Sequence, residues 1–187
     1  MPKLGLGSSI ATGEAVLSEE GSFSLLFDGT DDFVNLGDLT ILPDGQRYGT
    51  VSCWAYNRDA SATASMVSKY VAGGAYAKEW FFLWDSNSKA LFGAWATGST
   101  EASSGTRHAT SSETLSEDTW YHIAGTFHPT EKNNCYVNGV LRATSSAAMA
   151  ADGLDDTNQP IYIGSIAGNS SYFDGFIKDV AIWDVTL

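Results

Sequence analysis

The stretch Thr119-Trp-Tyr-His-Ile-Ala-Gly-Thr-Phe127, continued by Cys135-Tyr-Val-Asn-Gly-Val-Leu141, decides how this chain folds. Its first run is dense in aromatic and β-branched residues, which fit a pleated, half-buried surface, and it predicts a strand. With a side-chain period of two, Tyr121, Ile123, Gly125 and Phe127 share one face. Trp120, His122, Ala124 and Thr126 share the other. Pro129 and the polar residues through Asn134 supply a turn, and Cys135 to Val137 return as a second strand. Asn138-Gly139 follows. Both residues tolerate positive φ, so the pair predicts a tight hairpin into a third strand.

The rest of the chain reads in the same way. Ser22 to Phe27 alternates, with Phe23, Leu25 and Phe27 on one face. Asp28-Gly29 then turns and Phe33 to Leu36 returns, so a hairpin is expected there. Residues 37 to 48 form a loop around Pro43-Asp44-Gly45. Thr50 to Asn57 sets Val51, Cys53 and Ala55 against Ser52, Trp54 and Tyr56. Ser65 to Val71 is a strand that Gly73-Gly74 stops. Glu79 to Asp85 and Ala90 to Ala96 pair across Ser86-Asn87-Ser88. That hairpin puts Trp80, Phe82, Trp84 and Phe92 on one face and Phe81, Leu83, Leu91 and Trp95 on the other. Both faces are apolar, so one is core and the other needs a loop, a partner or a ligand over it. Residues 97 to 118 hold at most one short strand and read as a binding loop or flap. Pro160 to Gly164 and Asp174 to Trp183 close the series. Ala147 to Ala151 is the one helix-prone run, and it is too short to stand alone. The expectation is an all-β, two-sheet antiparallel sandwich over residues 21 to 187. Residues 1 to 20, small and polar, read as an N-terminal arm or linker.

Three blocks carry a resemblance. Trp120-Tyr-His-Ile-Ala-Gly-Thr126 with Tyr136-Val-Asn-Gly139 resembles the central signature of laminin-G-like domains of the concanavalin A-like jelly-roll fold. Ser24-Leu-Leu-Phe-Asp-Gly-Thr-Asp-Asp-Phe-Val34 resembles the first hairpin of that family, and Asp174-Gly-Phe-Ile-Lys-Asp-Val-Ala-Ile-Trp183 its last strand. The blocks span residues 22 to 187 in the family's order. The resemblance implies a jelly-roll, a fold that carries lectins, hydrolases and adhesive modules alike. The opening Leu4-Gly-Leu-Gly-Ser-Ser9 resembles the leader of laminin-G-like virion proteins of tailed phages.

Composition narrows the function. A chain of 187 residues with 17% charged residues and a net charge of −12 is one domain with room for a two-sheet core. The charge disfavours nucleic acid and anionic membranes. It is compatible with divalent cations or uncharged sugars, and equally with solubility alone. No apolar run is long enough to span a bilayer. The N-terminus lacks the pattern of a signal peptide, so no route through a secretion channel is expected. Cys53 and Cys135 lie in expected strands and read as buried free thiols, a bridge requiring neighbouring strands.

Glycosidases on jelly-rolls set two carboxylates one residue apart on a strand, and this sequence has no such pair. Glu113 and Glu117 lie in a loop, and His108, His122 and His128 have no matched nucleophile. No enzyme is expected. Asp28, Asp31 and Asp32 crowd the first turn, and Asp179 lies in the last strand. The resemblance implies that first and last strands are neighbours with a calcium ion against their convex face. Asp28, Asp32 and Asp179 are therefore candidate Ca²⁺ ligands, or else turn-formers that bond their own backbone. Trp80, Trp84, Tyr70, Tyr76 and Asn87 are candidates for stacking on and bonding a glycan, or else for filling the core. The expected function is a non-catalytic structural or adhesive module, most plausibly a virion decoration, fibre or appendage protein. Its partners would be other virion proteins or itself through the arm. The alternative is a carbohydrate-binding module of an extracellular or cell-surface protein.

Overall fold

A computed structural model describes residues 15–17, 23–39, 41–42, 48–70, 78–95, 107–128, 131–148, 154 and 159–187. Among these residues thirteen strands follow in chain order: β1 (Ala15–Leu17), β2 (Phe23–Asp28), β3 (Val34–Asn35), β4 (Gly49–Asn57), β5 (Ala64–Tyr70), β6 (Lys78–Trp84), β7 (Ala90–Ala94), β8 (His108–Thr110), β9 (Trp120–Phe127), β10 (Lys132–Val137), β11 (Val140–Ala148), β12 (Tyr162–Ile163) and β13 (Asp174–Trp183). They form a seven-stranded sheet, β1-β2-β13-β4-β9-β10-β11, and a six-stranded sheet, β3-β12-β5-β6-β7-β8. Every pairing is antiparallel. Among the described residues there is no α-helix. The all-β sandwich is thus as expected.

The opening stretch forms the meander its residues predict. β10 pairs with β9 and with β11, and Asn138 and Gly139 take φ of 51° and 76° at the two-residue turn between Val137 and Val140. The alternation also sorts the faces as read: Ile123 and Phe127 are fully buried, whereas Trp120 and His122 are partly exposed. The core lies between the sheets. Val51, Cys53, Ala55, Ile123 and Ile177 meet Met66, Trp80, Phe82, Trp84 and Phe92 across it. Gly125 makes that approach close enough. A Cβ there would stand 2.3 Å from the Phe92 ring, so the ring lies directly on the β9 backbone.

One expectation needs correction, and three others are located by the structure. β2 and β3 are not a hairpin: β2 pairs with β1 and β13, while β3 pairs with β12 in the opposite sheet. Asp28-Gly29 turns the chain between sheets, a job that needs the same turn residues as a hairpin. Ala147 and Ala148 are in β11, in keeping with a run too short to stand as a helix. The second face of the β6–β7 hairpin is covered by the chain itself. Phe81, Leu83 and Trp95 are buried beneath Tyr70, Ile166 and Ala167 of the same chain. Residues 1 to 20 also contribute to the sheet, through the pairing of Ala15–Leu17 with Phe23–Leu25; the rest of that segment lies outside the described residues.

β9 stands between the strands that carry the two cysteines, with Cys53 opposite Ile123 and Cys135 opposite Gly125. Both are free thiols, and burial pushes each up to about 12. A buried ion pair lies beside the core. Lys69 Nζ lies 3.1 Å from Glu79 Oε1 and 3.1 Å from Asp38 Oδ1, with the Lys69 and Glu79 side chains buried. Burial pulls the lysine down, but the two carboxylates outweigh it and hold it above the ordinary lysine value.

Candidate functional site

The residues singled out from the sequence do not converge. Trp80 and Trp84 are 0% exposed and fill the space between the sheets, so neither offers a ring to a sugar. Both faces of β6 are apolar, and the alternation alone does not say which is inward. Tyr70 packs on Phe81 and Trp95 at 5.3 and 5.8 Å. Asn87 sits on an exposed turn where its N–H donates to Asp85 Oδ1. Tyr76 lies outside the described residues.

The metal candidates split. Asp28, Asp31 and Asp32 bring carboxylate oxygens within 4.8 Å of one another. Asp179 does not join them. Its strand pairs Asp174 with Asp28, and Asp179 lies five residues further on, about 16 Å in an extended chain. It takes φ of 51° where β13 slips register between Lys178 and Ala181. The bulge explains its place: the extra residue is pushed out of the ladder. The turn aspartates also bond their own backbone. The Thr30 N–H donates to Asp28 Oδ1 at 2.8 Å, and the Asp28 N–H to Asp32 Oδ2 at 3.2 Å. Partial burial, then the Asp28 charge and that of Asp31, hold the Asp32 carboxyl above its usual value, and the Asp28 N–H partly offsets them.

A different site is assembled by cross-strand register on the outer face of the seven-stranded sheet. Residues paired across strands point the same way, so the face can be followed row by row. One row runs Leu26, Phe176, Tyr56, Trp120. The next runs Lys178, Trp54, His122. A third runs Ala181, Ser52, Ala124, Tyr136, its first three members small. The fourth runs Trp183, Thr50, Thr126, Asn134. From Tyr56 to Thr50 the face extends about 20 Å along the strands.

Its upper half is an aromatic platform. Tyr56 packs on Trp120 at 5.5 Å and on Phe176 at 5.7 Å, and Trp54 on the His122 ring at 5.3 Å. Trp54, Tyr56, Trp120, His122 and Phe176 are all partly exposed. Lys178 Nζ sits over the Trp120 ring at 5.0 Å and the Trp54 ring at 5.9 Å, and Arg58 lies 5.9 Å over Phe176. Gly175 lets β13 press against β4 here, since a Cβ would meet the Tyr56 carbonyl oxygen at 2.0 Å. Partial burial and then the Asp118 carboxylate, a hydrogen-bond partner of Tyr56, push the phenol up, with Arg58 opposing. Tyr56 is thus a neutral hydroxyl at physiological pH.

The lower half is a groove of about 230 Å³ over the small-residue row, lined by Thr50, Ser52, His122, Tyr136 and Trp183 among others. Hydroxyls, an imidazole and an indole around an Ala124 floor suit a ligand with apolar faces and polar edges. The His122 backbone is fixed by exchange with Asn138, whose Oδ1 accepts at 3.0 Å and whose N–H donates at 2.7 Å. Among the described residues none of the four rows carries a carboxylate, and Asp118 stands beside the first as the partner of Tyr56. Glu113 instead pairs with Arg142 at 3.0 Å, and Glu117 accepts from the Ala60 N–H. The sequence did place Trp54 and Tyr56 opposite the core residues of β4, and Trp120 and His122 opposite those of β9. What it lacked was the register that joins them.

A family model described as the concanavalin A-like lectin/glucanases superfamily matches residues 28–187. The fold is similar to a heptameric SAP-like pentraxin from Limulus polyphemus, with a TM-score of 0.63 and 16% identity over 89% of this chain and 77% of that one. It is similar to the botulinum neurotoxin serotype G binding domain, with 0.66 and 12% over 96% of this chain and 43% of that one. A Trypanosoma rangeli sialidase in complex with sialic acid gives 0.66 and 16% over 95% and 27%. The chain therefore spans about three quarters of the pentraxin and less than half of the other two. Comparison with curated proteins gave no match.

Proposed function

The chain belongs to the concanavalin A-like lectin/glucanases superfamily, and from that premise we propose that it is a non-catalytic adhesive module that holds a carbohydrate on the outer face of its seven-stranded sheet. The observation that carries this is the aromatic platform of Trp54, Tyr56, Trp120 and Phe176 running into a hydroxyl-lined groove. Sugar rings offer flat C–H faces to such rings and hydroxyls to the polar groups beside them. A platform held on adjoining strands costs a ligand little ordering of the protein. The non-catalytic reading is supported by the described residues of the four rows, which include no pair of carboxylates.

The acidic turn is the calcium site we propose, with Asp28, Asp31 and Asp32 as its ligands in place of the trio that included Asp179. Carboxylate oxygens from one tight turn are the hard donors that Ca²⁺ prefers, and a cation there would offset the Asp28 and Asp31 charges that, after partial burial, raise Asp32. When bound, the ion would brace the end of β2 beside Asp174, at the rim of the platform. We propose a virion appendage as the setting, which rests on the resemblance of residues 4 to 9 to phage leaders.

The test is affinity electrophoresis in gels loaded with soluble polysaccharides. Wild type should be retarded by at least one of them. Trp54→Ala with Trp120→Ala should weaken that binding tenfold or more, given roughly 1 kcal/mol for each truncated contact residue. Retardation that survives both substitutions would place the ligand elsewhere.

A further inference from the structure

We propose that this face reads the end of a glycan chain, with residues 184–187 as the stop that keeps a longer chain from running through; the proposal rests on the carbohydrate reading above. Beyond the fourth row stand Tyr48 and His128, their rings 4.9 Å apart, with Tyr48 exposed. The groove does not run on to them in the open. Thr50 and Thr126 belong to the outer face by register, yet they are only 2% and 3% exposed, so the fourth row is covered.

The cover over Thr50 is the segment that follows β13. The chain bends at Asp184 and Val185. Thr50 Oγ1 donates to the Val185 carbonyl at 2.8 Å and accepts the Leu187 N–H at 3.1 Å. Thr186 Oγ1 donates to the Phe127 carbonyl at 3.2 Å. The segment thus crosses from β13 over β4 to β9, which are neighbours in that order. Val185 and Leu187 are themselves exposed, so it lies on the sheet as a ridge. Leu187 becomes one wall of the groove, with Trp183 on the β13 side and Tyr136 and Gly139 on the β10 side. The remaining side meets His122, which stacks on Trp54 of the platform. The groove holds about 230 Å³, below the roughly 300–1,000 Å³ of a pocket for a drug-sized molecule, and so suits a single sugar ring. A terminal residue seated over Ser52 and Ala124 leaves the next residues to stack along the platform. A chain that ran on past the groove would have to lift the ridge and break its three hydrogen bonds.

The experiment is isothermal titration with linear β-glucan, linear galactan and alginate, each as a hexasaccharide and as a much longer soluble polymer. Wild type should bind at least one series, and at saturation a polymer chain should hold one copy of the protein, as the hexasaccharide does. Deleting residues 185–187 should let a chain run across the fourth row, so that each polymer holds several copies while the hexasaccharide still binds. Thr50→Val removes both bonds that seat the ridge on β4 without shortening the chain, and it should raise the count per polymer as well. Thermal melting checks that each variant is folded. Copies that increase with polymer length in wild type, or a single copy per polymer in both variants, overturn the proposal while leaving the carbohydrate reading intact. Failure to bind any of the three series overturns both.

Discussion

Gly125→Ala tests the packing on which the sandwich depends. The added Cβ would stand 2.3 Å from both Cγ and Cδ2 of Phe92 and 2.8 Å from Cε2. Carbon atoms in contact prefer about 3.5–4.0 Å, so ring and strand must separate by more than an ångström. Phe92 has nowhere to go. It is fully buried and packs edge-on to Phe82 at 5.4 Å. Overpacking typically costs about 1–3 kcal/mol, and a ring held on both sides places this site in the upper half, about 2–3 kcal/mol. For a domain of this size that corresponds to a fall in melting temperature of about 4–12 °C. Urea unfolding followed by circular dichroism gives the free energy directly. Phe92→Leu should relieve the clash, so the double variant should be more stable than the sum of the single effects by about 1 kcal/mol or more. A Gly125→Ala protein within about 0.5 kcal/mol of wild type, or strictly additive effects, would refute the contact between β9 and β7.

Three further outcomes are expected. Lys69→Met strips the ammonium from buried Glu79 and should cost about 3–5 kcal/mol, whereas Lys69→Met with Glu79→Leu should cost much less, read by urea unfolding. Because the folded state raises the lysine above its ordinary 10.5, this contribution is present below that pH and is lost as pH rises through the folded value, a slope Lys69→Met should lack. Calcium at a hundredfold excess over its Kd should stabilise wild type by about 2.7 kcal/mol against chelator in melting curves; Asp32→Asn should abolish the difference and Asp179→Asn should keep it. Without metal, the raised Asp32 favours the folded state only at low pH, and that contribution fades as pH climbs from 3.8 through the raised value. Cys53 and Cys135, both pushed up to about 12, should resist a thiol reagent at pH 8 in the native protein and both react in denaturant.

Local chemistry made most of the strands legible. The alternation around Ile123, the Asn138-Gly139 turn and the two apolar faces of β6 and β7 all follow from residue type and spacing. The sheet to which a strand belongs was less legible. Asp28-Gly29 satisfies a hairpin and a corner between sheets equally well, and the partner of β2 is β13, far along the chain. The site was hidden for the same reason. Trp54, Trp120 and Phe176 come from strands separated by long stretches of sequence, and only the β13-β4-β9 order makes them neighbours. Trp80 and Trp84 drew attention because they lie close together in sequence, and that closeness reflects a core-facing alternation.

The central claim is tested most directly by the indole N–H resonances of the six tryptophans during titration with a bound glycan. Trp54, Trp120 and Trp183 lie on the outer face of the seven-stranded sheet, and Trp80, Trp84 and Trp95 are buried. A glycan on the proposed face should shift the Trp54 and Trp120 signals, and that of Trp183 if it fills the groove, while leaving the three buried indoles in place. Saturable glycan binding that moves none of the three outer indoles would contradict the account.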